Sequence, residues 1–185
     1  MSKTILTAIA VTLFFVVGAS AEDKPLTGMQ MPAMAQSEPM ELPDADFLAE
    51  HGTRLGDLVL YNAFTRAMPP TARAGGGFVM IANTGDSDDR LVSAASPVAP
   101  VVQLHNMVMK DGVMVMREFA DGIVIPAGAV TALAPGGMHV MFIDAPKPFA
   151  EGETVEVTLT FEKAGAITIM LPVGALGSTD MPMKH

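Results

Sequence analysis

From Leu58 onward, short apolar runs recur with turn residues between them, and no long helical period appears. The runs are Leu58 to Phe64, Gly77 to Asn83, Arg90 to Ala94, Val101 to Met109, Val113 to Glu118, Ala129 to Leu133, Met138 to Ile143, Thr154 to Phe161 and Ala166 to Leu171. Pro69-Pro70, Thr84-Gly85-Asp86, Ser96-Pro97, Pro126-Ala127-Gly128, Pro135-Gly136-Gly137, Glu151-Gly152 and Ala164-Gly165 punctuate them. Runs of this length at roughly 8–12-residue spacing predict an all-β, antiparallel sandwich or barrel of about eight to nine strands.

One hairpin can be read in register. Valine and methionine alternate on both sides of Lys110-Asp111-Gly112, the pattern of a half-buried hairpin with a short Asp-Gly turn. With Asp111 and Gly112 as the turn residues, Met107 faces Met116 and Met109 faces Met114. His105 then shares that face, one diagonal step from Met116. Directly opposed residues sit about 4.5–5.5 Å apart and diagonal ones about 7–8 Å, within reach of long side chains. His139 and Met141, spaced i, i+2, share one face of another strand.

Upstream the pattern differs. Lys3, an apolar run from Ile5 to Val17 and Ala19-Ser20-Ala21 form the charged, hydrophobic and small-residue parts of a signal peptide over residues 1–21. Cleavage is expected between Ala21 and Glu22, which makes the protein periplasmic. Residues 22–54, with Met29, Met31, Met34 and Met40, read as a Met-rich flexible segment, with a short helix at Asp44 to His51. The folded domain is expected over 55–173, followed by a Met/His-containing tail over 174–185. His51 falls outside any site.

Composition narrows the function. The chain carries 11 Lys plus Arg against 20 Asp plus Glu, a net charge of −9, which argues against nucleic acid and anionic lipid as partners. There is no cysteine. That excludes a disulfide framework, a lipid-modified cysteine and a blue-copper electron-transfer site, which needs a thiolate. No GxSxG or HExxH motif occurs, and no histidine remains beside the pair to act as a base, so an enzyme is not expected.

Between His105 and Met141 the chain gathers two of its 4 histidines and six of its 16 methionines. Two imidazoles and two thioethers meeting in space would suit monovalent copper, because soft thioether sulfur selects Cu(I) and imidazole tolerates it. Alternating methionine also serves as core filler, since an unbranched thioether fits irregular gaps. Both uses remain open on the residues alone.

The order and spacing resemble the periplasmic copper chaperone family PCuAC. Its pattern is His, ten residues, Met, about twenty-one residues, then His-x-Met, matched here by His105, Met116 and His139-Val140-Met141. Asp88-Asp89-Arg90-Leu91-Val92, Ala95-Ser96-Pro97, Ile125-Pro126-Ala127-Gly128, Pro135-Gly136-Gly137 and Leu159-Thr160-Phe161-Glu162 also resemble family segments. Twenty-two residues separate Met116 from His139, and the extra one is expected within Glu118 to Gly122. Asn106 and Met138 stand where an acidic residue and a tyrosine are common.

The resemblance implies a cupredoxin-like β-sandwich, expected as a monomer, that binds one Cu(I) through His105, Met116, His139 and Met141. Met107, Met114, Met138, Met181, Met183 and His185 are candidate auxiliary ligands, with Met138 placing a third sulfur near the entrance and His185 offering a Cu(II) site in the tail. The implied acceptor is the copper-bearing subunit of a haem–copper oxidase, served alongside a thiol-containing assembly factor, with membrane contact only through that acceptor. Copper sequestration for resistance and a structural sandwich with a Met-rich core are the alternatives.

Overall fold

The computed structural model describes residues 40–110 and 113–179. Eleven strands follow one short helix: α1 (Ala45–His51), β1 (Thr53–Leu55), β2 (Leu58–Arg66), β3 (Gly75–Asn83), β4 (Asp89–Ala95), β5 (Val101–Lys110), β6 (Val113–Glu118), β7 (Ile123–Ile125), β8 (Val130–Leu133), β9 (His139–Ile143), β10 (Thr154–Phe161) and β11 (Gly165–Gly174). Their order is β6-β5-β9-β3-β2-β11-β10-β4-β7, with β1 paired to β2 and β8 to β3. Strand pairs are antiparallel except the short parallel contact of β11 with β2 at Val173 and Gly174, and an isolated parallel bridge joins Leu133 to Met138. The sheet is open, and the fold is an all-β sandwich.

Strand alternation builds the core. In β10 the even apolar set is absent and the odd positions Val155, Val157, Leu159 and Phe161 are buried, facing Leu91, Ile123, Ile125, Val140, Phe142 and Leu171 in one cluster. Fully burying such a side chain contributes about 1.5–3 kcal/mol, enough to hold a domain that has no disulfide. Asp89, nearly buried, anchors the β10–β11 turn: its carboxylate accepts from the backbone N–H groups of Arg90, Lys163 and Ala164. Burial alone would raise its pKa, but those three N–H donors and the Lys163 charge prevail and hold it below the usual carboxylate range.

Three sequence expectations are corrected. The described residues form eleven strands, more than expected because β1 and β7 are three residues each and too short to show alternation. Order begins before residue 55: Met40 and Val130 exchange backbone hydrogen bonds, and α1, the short helix expected at Asp44 to His51, is capped by the Asp44 carboxylate on Phe47 N–H at 2.8 Å and buries Leu48 against Val59, Tyr61 and Val130. His51 stacks on Phe47 with ring centroids 4.6 Å apart. Finally, the hairpin is half-buried only along β5. Strand β6 is the sheet's edge and is exposed on nearly every position, because no strand lies beyond it.

Candidate metal centre

The hairpin has the register its sequence dictates. Met107 pairs with Met116, Met109 with Met114 and Lys110 with Val113; Asp111 and Gly112 between them lie outside the described residues. What the sequence left open is the neighbour on the other side. Strand β9 lies antiparallel to β5, with His105 directly opposite His139 and Gln103 directly opposite Met141.

Opposed residues share a face, so one row across three strands is His139, His105 and Glu118. The rows on either side hold Met141 with Gln103, and Met107 with Met116. The two imidazoles stand 5.9 Å apart, centroid to centroid, at 66°. Met141 and Met116 therefore flank the pair from opposite directions. Val140 and Phe142 alternate with these residues and point into the core, which lets the strand serve both faces.

Each histidine is held in one tautomer. His105 Nε2 donates to Gln103 Oε1 at 3.0 Å, which leaves Nδ1 as a bare lone pair, buried and without a hydrogen-bond partner. His139 does the reverse: Nδ1 donates to the Gly137 carbonyl at 3.0 Å, leaving Nε2 as the lone pair. His139 is only 3% exposed, and that burial pushes its pKa below the ordinary value, helped by the neighbouring His105 and opposed by the Gly137 carbonyl. A neutral imidazole presenting a lone pair is the form that binds a metal.

One wall is aromatic. Phe78, aligned with His139 across β3, has its ring 6.4 Å from the imidazole and carries the Arg66 guanidinium 5.1 Å above its own centroid. The ring lies over Gly76, where a Cβ would stand 3.1 Å from it. No group of three or more His, Cys, Asp or Glu side chains is gathered among the described residues. On the same face the thioethers of Met141, Met107 and Met116 lie in the rows beside the pair.

The other sequence candidates separate clearly. Met107 is half-buried beside the pair. Met109, Met114 and Met116 are 66%, 46% and 45% exposed, so they do not fill the core. Met138 does: it is 3% exposed within the main cluster, because strand parity turns the residue before His139 inward, and the expectation of a third sulfur at the entrance is corrected. Met181, Met183 and His185 lie outside the described residues. Sequence reading missed Gln103 and the Gly137 carbonyl. Gln103 could have been found at i−2 from His105, whereas the carbonyl left no signal.

A family model for LpqE-like putative lipoproteins matches residues 58–173. A putative lipoprotein of Leifsonia xyli subsp. xyli is 38% identical over 93 residues, half of this chain and 56% of its own length, so the chain spans little more than half of that relative. Among solved structures, the copper-bound PCuAC domain from PmoF2 superposes with a TM-score of 0.57 at 30% identity, covering 68% of this chain and 98% of its own. The CuI form of DR1885 from Deinococcus radiodurans gives 0.51 at 26% identity over 71% and 86% of the two chains. By the match over most of its sandwich and the likeness to these domains, the chain belongs to the LpqE-like, PCuAC family.

Proposed function

We propose that this protein is a periplasmic copper chaperone that carries one Cu(I) on the exposed face of β5, β6 and β9 and hands it to an acceptor. The observation that carries the reading is the opposed histidine pair, each ring hydrogen-bonded through one nitrogen, with His105 Nδ1 buried and unpartnered. The relatives named for copper-bound and CuI forms support the choice of ion. The apolar run after Lys3 and the lipoprotein names of its relatives support export.

In this reading His105 and His139 supply two nitrogen ligands, and Met116 and Met141 supply two thioethers. Thioethers are neutral and carry no proton at any relevant pH, so they hold the soft ion without proton competition. Each imidazole must be deprotonated to bind, which makes its share of the affinity pH-dependent. With no thiolate in the chain, an acceptor offering thiolates can take the ion by stepwise ligand exchange. The copper-bearing subunit of a haem–copper oxidase, assisted by a thiol-containing assembly factor, is the acceptor we propose.

The test is an anaerobic Cu(I) titration of the protein against a chromophoric competitor, beside the double variant Met116→Ala/Met141→Ala. One equivalent held by the wild type and lost by the variant is the expected result. Equal binding by both would move the chemistry away from this face, and no binding by either would reduce the domain to a scaffold. A deletion strain separates delivery, which costs oxidase activity, from sequestration, which costs copper resistance.

A further inference from the structure

The hairpin carries more sulfur than the four-ligand site uses, and it displays that sulfur to solvent. Met109 and Met114 are directly opposed one row beyond the Met107–Met116 pair, at the hairpin's distal end. They are 66% and 46% exposed, so both thioethers face solvent. Burial does not explain them. On the opposite face of the same hairpin, the pair Val108–Val115 is half-buried and already provides the packing contact. Exposed edge-strand positions ordinarily carry polar or charged residues.

We infer that Met109 and Met114 form an outer Cu(I)-acquisition site, joined to the histidine pair by the Met107–Met116 row. The inference rests on the Cu(I) reading of the inner site and extends it to the route by which the ion arrives. Successive same-face rows on a strand are about 7 Å apart. Methionine, unbranched and flexible, can span that gap from both sides. At each step a new Cu–S or Cu–N bond forms as an old Cu–S bond breaks. Copper remains in the +1 state, every thioether remains neutral, and no proton or electron moves. Two exposed thioethers bind weakly, which suits a group that captures an ion and gives it up. The two imidazoles, walled by Phe78 and partly desolvated, form the tighter terminus.

The experiment is stopped-flow transfer of Cu(I) from its bicinchoninate complex to the full chain, anaerobically. Wild type is compared with Met109→Leu/Met114→Leu, which keeps apolar bulk and removes both sulfurs. The expected result is the same final occupancy reached about tenfold more slowly, the change that a barrier higher by about 1.4 kcal/mol produces. Equal rates would overturn the acquisition site. A loss of final occupancy would also overturn it, since the pair would then belong to the storage site. If the wild type itself takes no copper, the function proposed above fails, an outcome distinct from equal rates in two copper-loaded proteins.

Discussion

Replacing Gln103 by leucine keeps the bulk on the β5 face and deletes the acceptor that holds the His105 Nε2 proton at 3.0 Å. A hydrogen bond of this kind contributes about 0.5–1.5 kcal/mol net, so the tautomer that leaves Nδ1 free loses a preference of roughly 2- to 13-fold. Losing an orienting partner behind a metal-binding histidine typically costs about 10–100-fold in affinity. His105 is partly exposed, so water can replace the lost acceptor, and the low end of that range is expected. We therefore expect Cu(I) affinity to fall about tenfold by competition titration. Long-range nitrogen–proton correlation spectra should show the His105 proton redistributed between its two nitrogens. Gln103→Glu retains an acceptor and should restore most of both. A drop in affinity with the tautomer unchanged would refute the reasoning, and so would an unchanged affinity with the tautomer altered.

Four further outcomes are expected. Because burial holds the His139 pKa below its ordinary 6.5, protons compete for this proposed ligand only below that pH; Cu(I) affinity should decline as pH falls through the lowered folded value, and a decline already complete above pH 6.5 would contradict the assignment. In the metal-free protein the same shift means that stability is complete above pH 6.5 and is lost as pH falls toward the folded-state value, a slope that His139→Gln should flatten in urea unfolding. Asp89 works in the acid range: its lowered pKa gives stability that is present above its ordinary 3.8 and lost as pH falls through the folded value, and Asp89→Asn should cost about 1.5–3 kcal/mol at pH 7, measured by chemical denaturation. Gly122→Ala should destabilise by more than the roughly 1–2 kcal/mol of a left-handed residue, because Gly122 has φ of 76° and a Cβ there would stand 2.4 Å from the Leu91 carbonyl oxygen; an unchanged midpoint in thermal melts would contradict this.

Local chemistry made half of the site legible. A two-residue turn leaves one register for the hairpin, so Met107–Met116 and Met109–Met114 follow from the sequence alone, as does the shared face of His139 and Met141. The pairing of His105 with His139 is another matter. Strand β9 enters between β5 and β3 although it begins only after β6, β7 and β8, and no local signal says which strands become neighbours. Parity also corrects Met138, which is adjacent in sequence to His139 yet on the opposite face of the sheet. Strands β1 and β7, three residues each, leave too short a period to read, whereas the short helix expected at Asp44 to His51 is found as α1.

The tight hairpin has a consequence for how the ligand spacing can vary among relatives. Between His105 and Met116 every residue but Asp111 and Gly112 belongs to a paired strand, so one inserted residue would reverse the alternation of a strand and turn its methionines to the other face. The ten-residue interval is mechanically fixed. Between Met116 and His139 the chain passes through the turn Phe119–Gly122, closed by the Gly122 N–H on the Phe119 carbonyl, where an added residue changes no strand's parity. Length variation should therefore accumulate in the second interval and be absent from the first, so that the sheet acts as a ruler for one pair of proposed ligands and a slack tether for the other.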